Sequence, residues 1–174
     1  MRALALLPLL IVAGCGGESA PQANNAAAEA APPENLPAGQ WELASEVTRF
    51  TKADSGAPRI NTPVGTRTAL SVCVGSGAQA PAALFTEAGN DCRMANYYGR
   101  NGRLNVTLQC RRSGLDGDIG LSVDGSFTAD TLTYDRNMRT TLTSDGDVVI
   151  DSHVTGRRTG DCTAATGGGA GNSH

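Results

Sequence analysis

Aromatic and histidine side chains are scarce in this chain of 174 residues, which contains three Phe, three Tyr, one Trp and two His. One histidine, His174, is the last residue, so the chain offers few nitrogen ligands and few general bases. Positive charge is not in excess either, because 14 basic residues face 17 acidic ones and the formal net charge is −3. The composition therefore argues against a zinc hydrolase and against electrostatic binding of nucleic acid. The chain also has no P-loop, Rossmann glycine set or H-E-x-x-H motif, so we expect no metal and no cofactor.

A hydrophobic run of membrane-spanning length is also missing. Residues 3–13 carry no charge, but this stretch is only about half of the ~20 apolar residues that cross a bilayer. It follows the short positive start formed by Met1 and Arg2, and it ends in small residues. This arrangement is typical of an export signal rather than of a transmembrane helix.

The end of this leader indicates a lipid anchor. Residues 12–15, Val-Ala-Gly-Cys, resemble the lipobox of bacterial lipoproteins, in which small residues precede a cysteine that receives diacylglycerol. We therefore predict that residues 1–14 are a lipoprotein signal peptide and that Cys15 carries the lipid and binds the membrane. Several acyl chains hold a protein at a membrane far more firmly than one does. Gly16 follows the cysteine in place of a retention-favouring Asp, so we expect the bacterial outer membrane, with the chain facing the periplasm.

Two segments have the composition of unfolded chain. Residues 15–38 are rich in Ala and Pro, and Leu36 is their only large apolar residue, so this segment is predicted to be the lipidated cysteine followed by a disordered tether. Residues 163–174 are rich in Gly and are predicted to be a disordered tail. The folded domain is therefore expected to span residues 39–162.

Apolar residues in the domain recur mainly at every second position, which is typical of β-strands. The clearest run has Ile119, Leu121, Val123 and Phe127 on one face and polar residues or glycine on the other. A similar run over residues 132–138 is interrupted by Arg136. One buried face and one solvated face indicate an antiparallel sheet. We predict a mainly β fold, either a curved antiparallel sheet or a partly open barrel or sandwich.

One short helix is predicted within this β domain. Residues 81–88 begin with Pro81, contain Leu84 and Phe85, and are followed by Gly89 as a stop signal. Proline is favoured in the first turn of a helix and glycine just after its end. The segment is therefore expected to form a helix of about two turns.

Four further cysteines, an even number, are expected to form disulfides in an exported domain. A hairpin that turns at residues 99–102 places Cys92 opposite Cys110, so these two are predicted to pair. Cys73 then pairs with Cys162 by elimination. A redox or metal-binding pair is the competing interpretation, but the chain has no C-x-x-C spacing.

Catalytic candidates are few. Asp151, Ser152 and His153 suggest a hydrolytic triad, but neighbours on a strand point to opposite faces, so Ser152 is expected to turn away from the other two. Asp151 could instead orient His153 as a base toward a distant nucleophile. The alternative is that His153 is an ordinary exposed side chain on the outer face of a strand.

Binding candidates come from the two ends of the domain. Arg157 and Arg158 could hold an anionic group through their guanidinium groups, or they could form a solvated face with a local ion pair to Asp161. The aromatic side chains that would line a ligand cup in a curled sheet are Trp41, Tyr97, Tyr98 and Phe127. Packing in the core or on a hairpin is the alternative role for these aromatic residues.

Several of these stretches resemble a known family. Residues 37–42, Pro-Ala-Gly-Gln-Trp-Glu, the mid-chain Cys73, and residues 156–162, Gly-Arg-Arg-Thr-Gly-Asp-Cys, are similar to the domain of unknown function 3617 family of exported bacterial proteins, many of them lipoproteins. Thr159 stands where a larger apolar residue is expected. The resemblance implies an envelope location and a disulfide-bearing β domain, and it carries over no activity and no catalytic residue.

The sequence leaves two functions open. The first is a non-catalytic, membrane-anchored lipoprotein of the cell envelope whose periplasmic β domain binds an envelope protein or a small ligand; Trp41, Tyr98, Arg157 and Arg158 are its candidate binding residues. The second is a periplasmic hydrolase that uses His153 with a carboxylate.

Overall fold

The computed structural model describes residues 31–77, 79–144 and 146–162. The predicted signal peptide, Cys15, most of the predicted tether and the predicted tail lie outside these residues. Seven strands form one antiparallel sheet that is curled into a half-barrel, so the predicted mainly β fold with a curved antiparallel sheet is confirmed. Within the described residues, no helix has the length and apolar character needed to span a membrane.

The strands follow one another along most of the sheet. Their bounds are β1 Gly39–Lys52, β2 Arg67–Val74, β3 Asn90–Arg100, β4 Arg103–Arg112, β5 Gly117–Phe127, β6 Thr131–Leu142 and β7 Val148–Gly160. Their order across the sheet is β2-β1-β7-β6-β5-β4-β3, so β2 and β3 are the edges. The β3–β4 turn has Asn101 at φ 51° and Gly102 at φ 73°, the positive values that a two-residue hairpin turn of this kind requires.

The core lies on the concave face of the sheet, as the alternation of apolar residues predicts. On β5, Ile119, Leu121 and Val123 are at most 2% exposed, while the intervening side chains face solvent. Trp41 on β1 is fully buried, and its indole N–H donates to the Pro37 carbonyl at 3.1 Å. Burial of these apolar side chains supplies the main favourable free energy of folding.

The connection between β2 and β3, residues 75–89, runs from one edge of the sheet to the other. It contacts both edge strands, and it buries Leu84 and Phe85 against the concave face. The predicted two-turn helix is reduced here to a single 3₁₀ turn, Ala82–Leu84. The carbonyls of Leu84 and Phe85 accept hydrogen bonds from side chains of β6 rather than from a further helical turn, so tertiary contacts replace the helix.

Both predicted disulfides are present in the structure. Cys92 and Cys110 are directly opposite each other on β3 and β4, with 4.0 Å between their Cα atoms. Cys73 on β2 is joined to Cys162, 89 residues further along the chain, with 5.4 Å between the Cα atoms. The second bridge ties the end of β7 across β1 to the edge strand β2.

Ordered contacts begin ahead of Gly39, the domain start that composition predicts. The carbonyls of Glu34 and Pro33 accept hydrogen bonds from the backbone N–H groups of Asn101 and Gly102, at 3.0 and 3.3 Å. Leu36 is 5% exposed and belongs to the core. The last residues of the predicted tether therefore pack on the domain, because Leu36 has an apolar surface to bury against.

Candidate functional site

An arginine lies in the core of the sheet. Strand β6 directs Leu132, Tyr134, Arg136 and Met138 to the concave face, so the alternation that buries apolar residues also carries the guanidinium of Arg136 inward. Only 4% of the Arg136 side chain is exposed. A buried charge is costly unless it is paired, so its partners decide what this site can do.

The partners of Arg136 come from the β2–β3 connection and from β1. Its Nη2 donates to Oε1 of Glu87 at 2.5 Å and lies 3.4 Å from Oγ of Ser45, and its Nη1 lies 3.5 Å from the Phe85 carbonyl. A guanidinium has five N–H donors, and two of these three contacts are at the long limit of hydrogen bonding. Glu87 is therefore the principal partner of Arg136 among the described residues.

Tyr134, two residues before Arg136 on β6, contacts the same β2–β3 connection. Its hydroxyl donates to the Leu84 carbonyl at 2.7 Å, and its ring meets that of Phe85 edge to face at 5.8 Å. Burial raises the pKa of Tyr134 far above its ordinary value, so this hydroxyl keeps its proton and remains a donor. Gly125, directly opposite on β5, allows the close approach of β6, since a β-carbon there would collide with the Thr133 carbonyl oxygen and lie 2.5 Å from Cβ of Tyr134.

A cavity of about 380 Å³ adjoins the Arg136–Glu87 pair. Its apolar walls are formed by Leu43, Leu70, Leu84 and Val154, and its polar lining includes Ser45, Tyr134, Glu87, Arg136 and a second guanidinium, that of Arg112. Pockets that bind small molecules are commonly about 300 to 1,000 Å³, with mostly apolar walls and a few polar groups. This cavity is at the small end of that range and has the same composition.

Two features mark the rim of the cavity. Leu70 on the edge strand β2 is 38% exposed although it faces the concave side. Nε of Arg112 donates to Oδ1 of Asn90 at 2.8 Å, and Nδ2 of the same Asn90 is buried without a hydrogen-bond partner among the described residues. The rim therefore offers an apolar surface at Leu70 and the guanidinium of Arg112, which Asn90 holds in place from behind the lining.

His153 lies on the opposite, convex face. Ser152 is 2% exposed and turns inward, so the adjacent triad is excluded by strand geometry, as predicted. Nδ1 of His153 lies 2.7 Å from Oδ1 of Asp135 on β6, and 47% of the His153 side chain is exposed. The carboxylate beside His153 is thus Asp135, which the sequence analysis missed because the two residues are brought together by strand pairing.

Asp151, the predicted partner of His153, is engaged elsewhere. Its carboxylate accepts from Nε of Arg49 and from Nδ2 of Asn137, both at 2.5 Å. Partial burial acts to raise the pKa of Asp151, but the hydrogen bonds from Arg49 and Asn137 and the charge of Arg49 together hold it below its usual value. Within the described residues, no group of three or more His, Cys, Asp and Glu side chains is arranged to hold a metal ion.

The four predicted ligand-binding residues are not brought together. Arg158 points inward, where its Nε donates to the Ala38 carbonyl at 2.7 Å, and it also forms the local pair with Asp161 at 3.2 Å. Arg157 points outward at a depression of about 750 Å³ on β1, β2 and β7. Trp41 is a core residue rather than the wall of an open cup. Tyr98 is 47% exposed on the edge strand β3.

The comparison with protein families identifies the family of this chain and assigns it no activity. The family model described as "Protein of unknown function (DUF3617)" matches residues 36–162, which is well over half of the chain. The chain belongs to the DUF3617 family. The match begins at Leu36, where the DUF3617 domain starts to bury apolar surface, and ends at the disulfide-bonded Cys162. No curated protein and no solved structure matches the chain.

Proposed function

We propose that this DUF3617 protein is a non-catalytic, lipid-anchored protein of the bacterial cell envelope whose β domain binds a small ligand or a partner in the periplasm. The observation that carries the proposal is the concave cavity, whose apolar walls surround a guanidinium that is almost completely buried. Such an arrangement favours binding, because it combines mostly apolar walls with a few polar groups around a guanidinium.

The sequence and the disulfides support the anchor and the location. The lipobox-like residues 12–15 provide an acceptor thiol at Cys15, and Gly16 favours the outer membrane. Two disulfides in a domain of this size are typical of an oxidising compartment such as the periplasm.

Metabolic labelling tests the anchor. Cells that express the full chain are fed an alkyne analogue of palmitate, and the chain is examined for label and located by membrane fractionation. We expect label on the chain with Cys15 and none on the Cys15→Ser variant. An unlabelled chain recovered outside the membranes would contradict the proposal.

Site-specific crosslinking in living cells tests the binding role. A photoreactive residue replaces Leu70 at the cavity rim, and the control replaces Val64, which is 62% exposed in the β1–β2 loop. Both variants expose the probe, so an adduct specific to position 70 indicates a ligand or partner at the cavity rim or in the adjoining depression that Leu70 also lines. Equal crosslinking at the two positions would count against a binding role for the cavity.

A periplasmic hydrolase that uses His153 remains the second candidate. The 2.7 Å contact between His153 and Asp135 favours it, because a carboxylate on Nδ1 orients an imidazole for base catalysis. Complementation of a deletion strain by the His153→Gln variant tests this function. Full complementation would exclude the hydrolase, and its loss in a chain with unchanged stability would support it.

A further inference from the structure

Arg136 occupies an inward position at which the alternation of β6 predicts an apolar side chain. Replacing a buried ion pair by packed hydrophobic residues is often neutral or stabilising, so the pair is weak evidence of a purely structural role. The neighbouring inward positions on β6 are Tyr134 and Met138, and Arg136 lies directly opposite Val123 on β5. A local conflict with the hydrophobic pattern of this kind is most often found at functional sites.

The two partners of the ion pair differ in how they are held. Arg136 lies within β6, which is hydrogen-bonded to β5 on one side and to β7 on the other. Glu87 lies in the β2–β3 connection, after the 3₁₀ turn has ended, and 23% of its side chain is exposed. The carboxylate can therefore turn outward to water, whereas the guanidinium has to remain in the cavity.

Nη2 of Arg136 already binds a carboxylate, that of Glu87, so the same donor can bind the carboxylate of a ligand. If Glu87 turns outward, the charged groups that line the cavity are the guanidinium groups of Arg136 and Arg112. Arg112 is held in place by Asn90, whose Oδ1 accepts a hydrogen bond from its Nε at 2.8 Å. These donors favour an anion and disfavour a cation.

The rest of the cavity is suited to a short hydrocarbon. Leu43, Leu84 and Val154 form buried walls, and Leu70 at the rim leaves apolar surface in contact with water. With about 380 Å³ available, the cavity holds a small ligand rather than a complete phospholipid. Burial of the hydrocarbon favours binding, and the guanidinium makes the cavity selective for a ligand with an anionic head group.

We infer that the concave cavity binds a small amphipathic carboxylate, whose anionic end replaces Glu87 on Arg136 and whose short apolar tail packs against Leu70 and Leu84. This inference rests on the proposed binding function and names the ligand class for the same site. Glu87 acts in it as an internal competitor that occupies the guanidinium when the ligand is absent.

The experiment follows the guanidinium signals of the full chain by NMR, with ¹⁵N-labelled arginine and the protein held in an amphipathic polymer. The Nε–H signal of Arg136 is assigned from the Arg136→Lys variant. Hexanoate, hexanol and hexylamine are titrated separately, since they share the tail and differ in head-group charge. We expect hexanoate to shift the Arg136 signal in a saturable manner and the other two probes to leave it unchanged.

Glu87→Gln is the decisive variant, and Glu46→Gln is its matched control. Glu46 pairs with Arg67 on the exposed face and does not line the cavity. Removal of the competing carboxylate is expected to raise the affinity for hexanoate about tenfold, because Arg136 becomes competent to bind in a larger fraction of molecules. The control should bind as the unaltered chain does. Leu70→Glu, which places a negative charge at the rim, should abolish binding without changing the core.

Each outcome decides the inference separately from the proposed function. Equal effects of hexanoate and hexanol, preference for hexylamine, or an unchanged affinity in Glu87→Gln would each overturn the carboxylate inference. If no probe binds but crosslinks form specifically at position 70, the inference is wrong and the proposed binding function stands. Loss of position-specific crosslinks together with loss of fatty-acid label on the chain would overturn the proposed function itself.

Discussion

Replacing Glu87 in the Arg136–Glu87 pair should lower the free energy of unfolding more than replacing Arg136 does. Glu87→Gln leaves a cation that is 96% buried without its counter-charge, and we expect this to cost about 3 kcal/mol of unfolding free energy. Arg136→Met instead fills the same volume with apolar atoms, and Glu87 can turn to water. The loss of two long hydrogen bonds limits the cost of that variant to about 1 kcal/mol.

Equilibrium unfolding in guanidinium chloride at neutral pH measures both costs. The chain has one tryptophan, Trp41, and it is fully buried, so its fluorescence reports the loss of the concave core. We also expect the double variant to be about as stable as Arg136→Met alone, because Glu87 acts through the guanidinium. If Arg136→Met proves as destabilising as Glu87→Gln, or more so, the account of the pair as a held cation and a movable carboxylate is wrong.

Three further predictions concern the scaffold. Replacing Cys73 and Cys162 together by Ala removes a crosslink between residues 89 apart and so raises the entropy of the unfolded chain. This should lower the free energy of unfolding by about 4 to 5 kcal/mol in denaturant titrations. A loss below about 2 kcal/mol would contradict the loop-entropy account. Folding lowers the pKa of Asp151, so its carboxyl group binds fewer protons in the folded protein than in the unfolded chain. The ionised carboxylate therefore stabilises the folded protein above the ordinary pKa of 3.8, and this stabilisation is lost as the pH falls through the folded-state pKa. The acid limb of the stability profile should therefore be shallower in Asp151→Asn, and parallel profiles would refute this. Gly125→Ala should cost about 1 to 3 kcal/mol in the same titrations, because its β-carbon would collide with the Thr133 carbonyl oxygen and with Cβ of Tyr134 on β6. A β-carbon at Gly120 on the same strand would lie 3.9 Å from the Arg139 carbonyl oxygen, which is ordinary contact, so equal effects of Gly125→Ala and Gly120→Ala would exclude the collision.

Local pattern was sufficient for most of the scaffold. Alternation of apolar and polar residues identified the strands and their inner faces, and it placed Ser152 and His153 on opposite sides of β7, as the structure does. The hairpin turn placed Cys92 near Cys110, because register within a tight hairpin follows closely from the position of its turn, and a register shift between Met94 and Asn96 brings the two cysteines directly opposite each other. These properties depend on residues that are close in sequence.

The candidate site was visible in the sequence only as an irregularity. Arg136 interrupted the apolar run of its strand, which was the available signal, but its partner Glu87 lies 49 residues earlier in a segment predicted to be helical. Likewise, Asp135 reaches His153 through the pairing of β6 and β7. Neither contact could be derived from spacing along one element.

The sequence by itself determined the strands, their inward and outward faces, the Cys92–Cys110 pair and the expectation of an exported chain, since each depends on local pattern or on a short motif. The Cys73–Cys162 pair followed only by elimination. Only the tertiary structure decided that the segment after Pro81 forms a single 3₁₀ turn, that Trp41 is a core residue and that Glu87 meets Arg136 beside a cavity. The physical reason is that curling the sheet brings its concave face against a distant connection, whose carbonyls and carboxylate then satisfy the donors of β6.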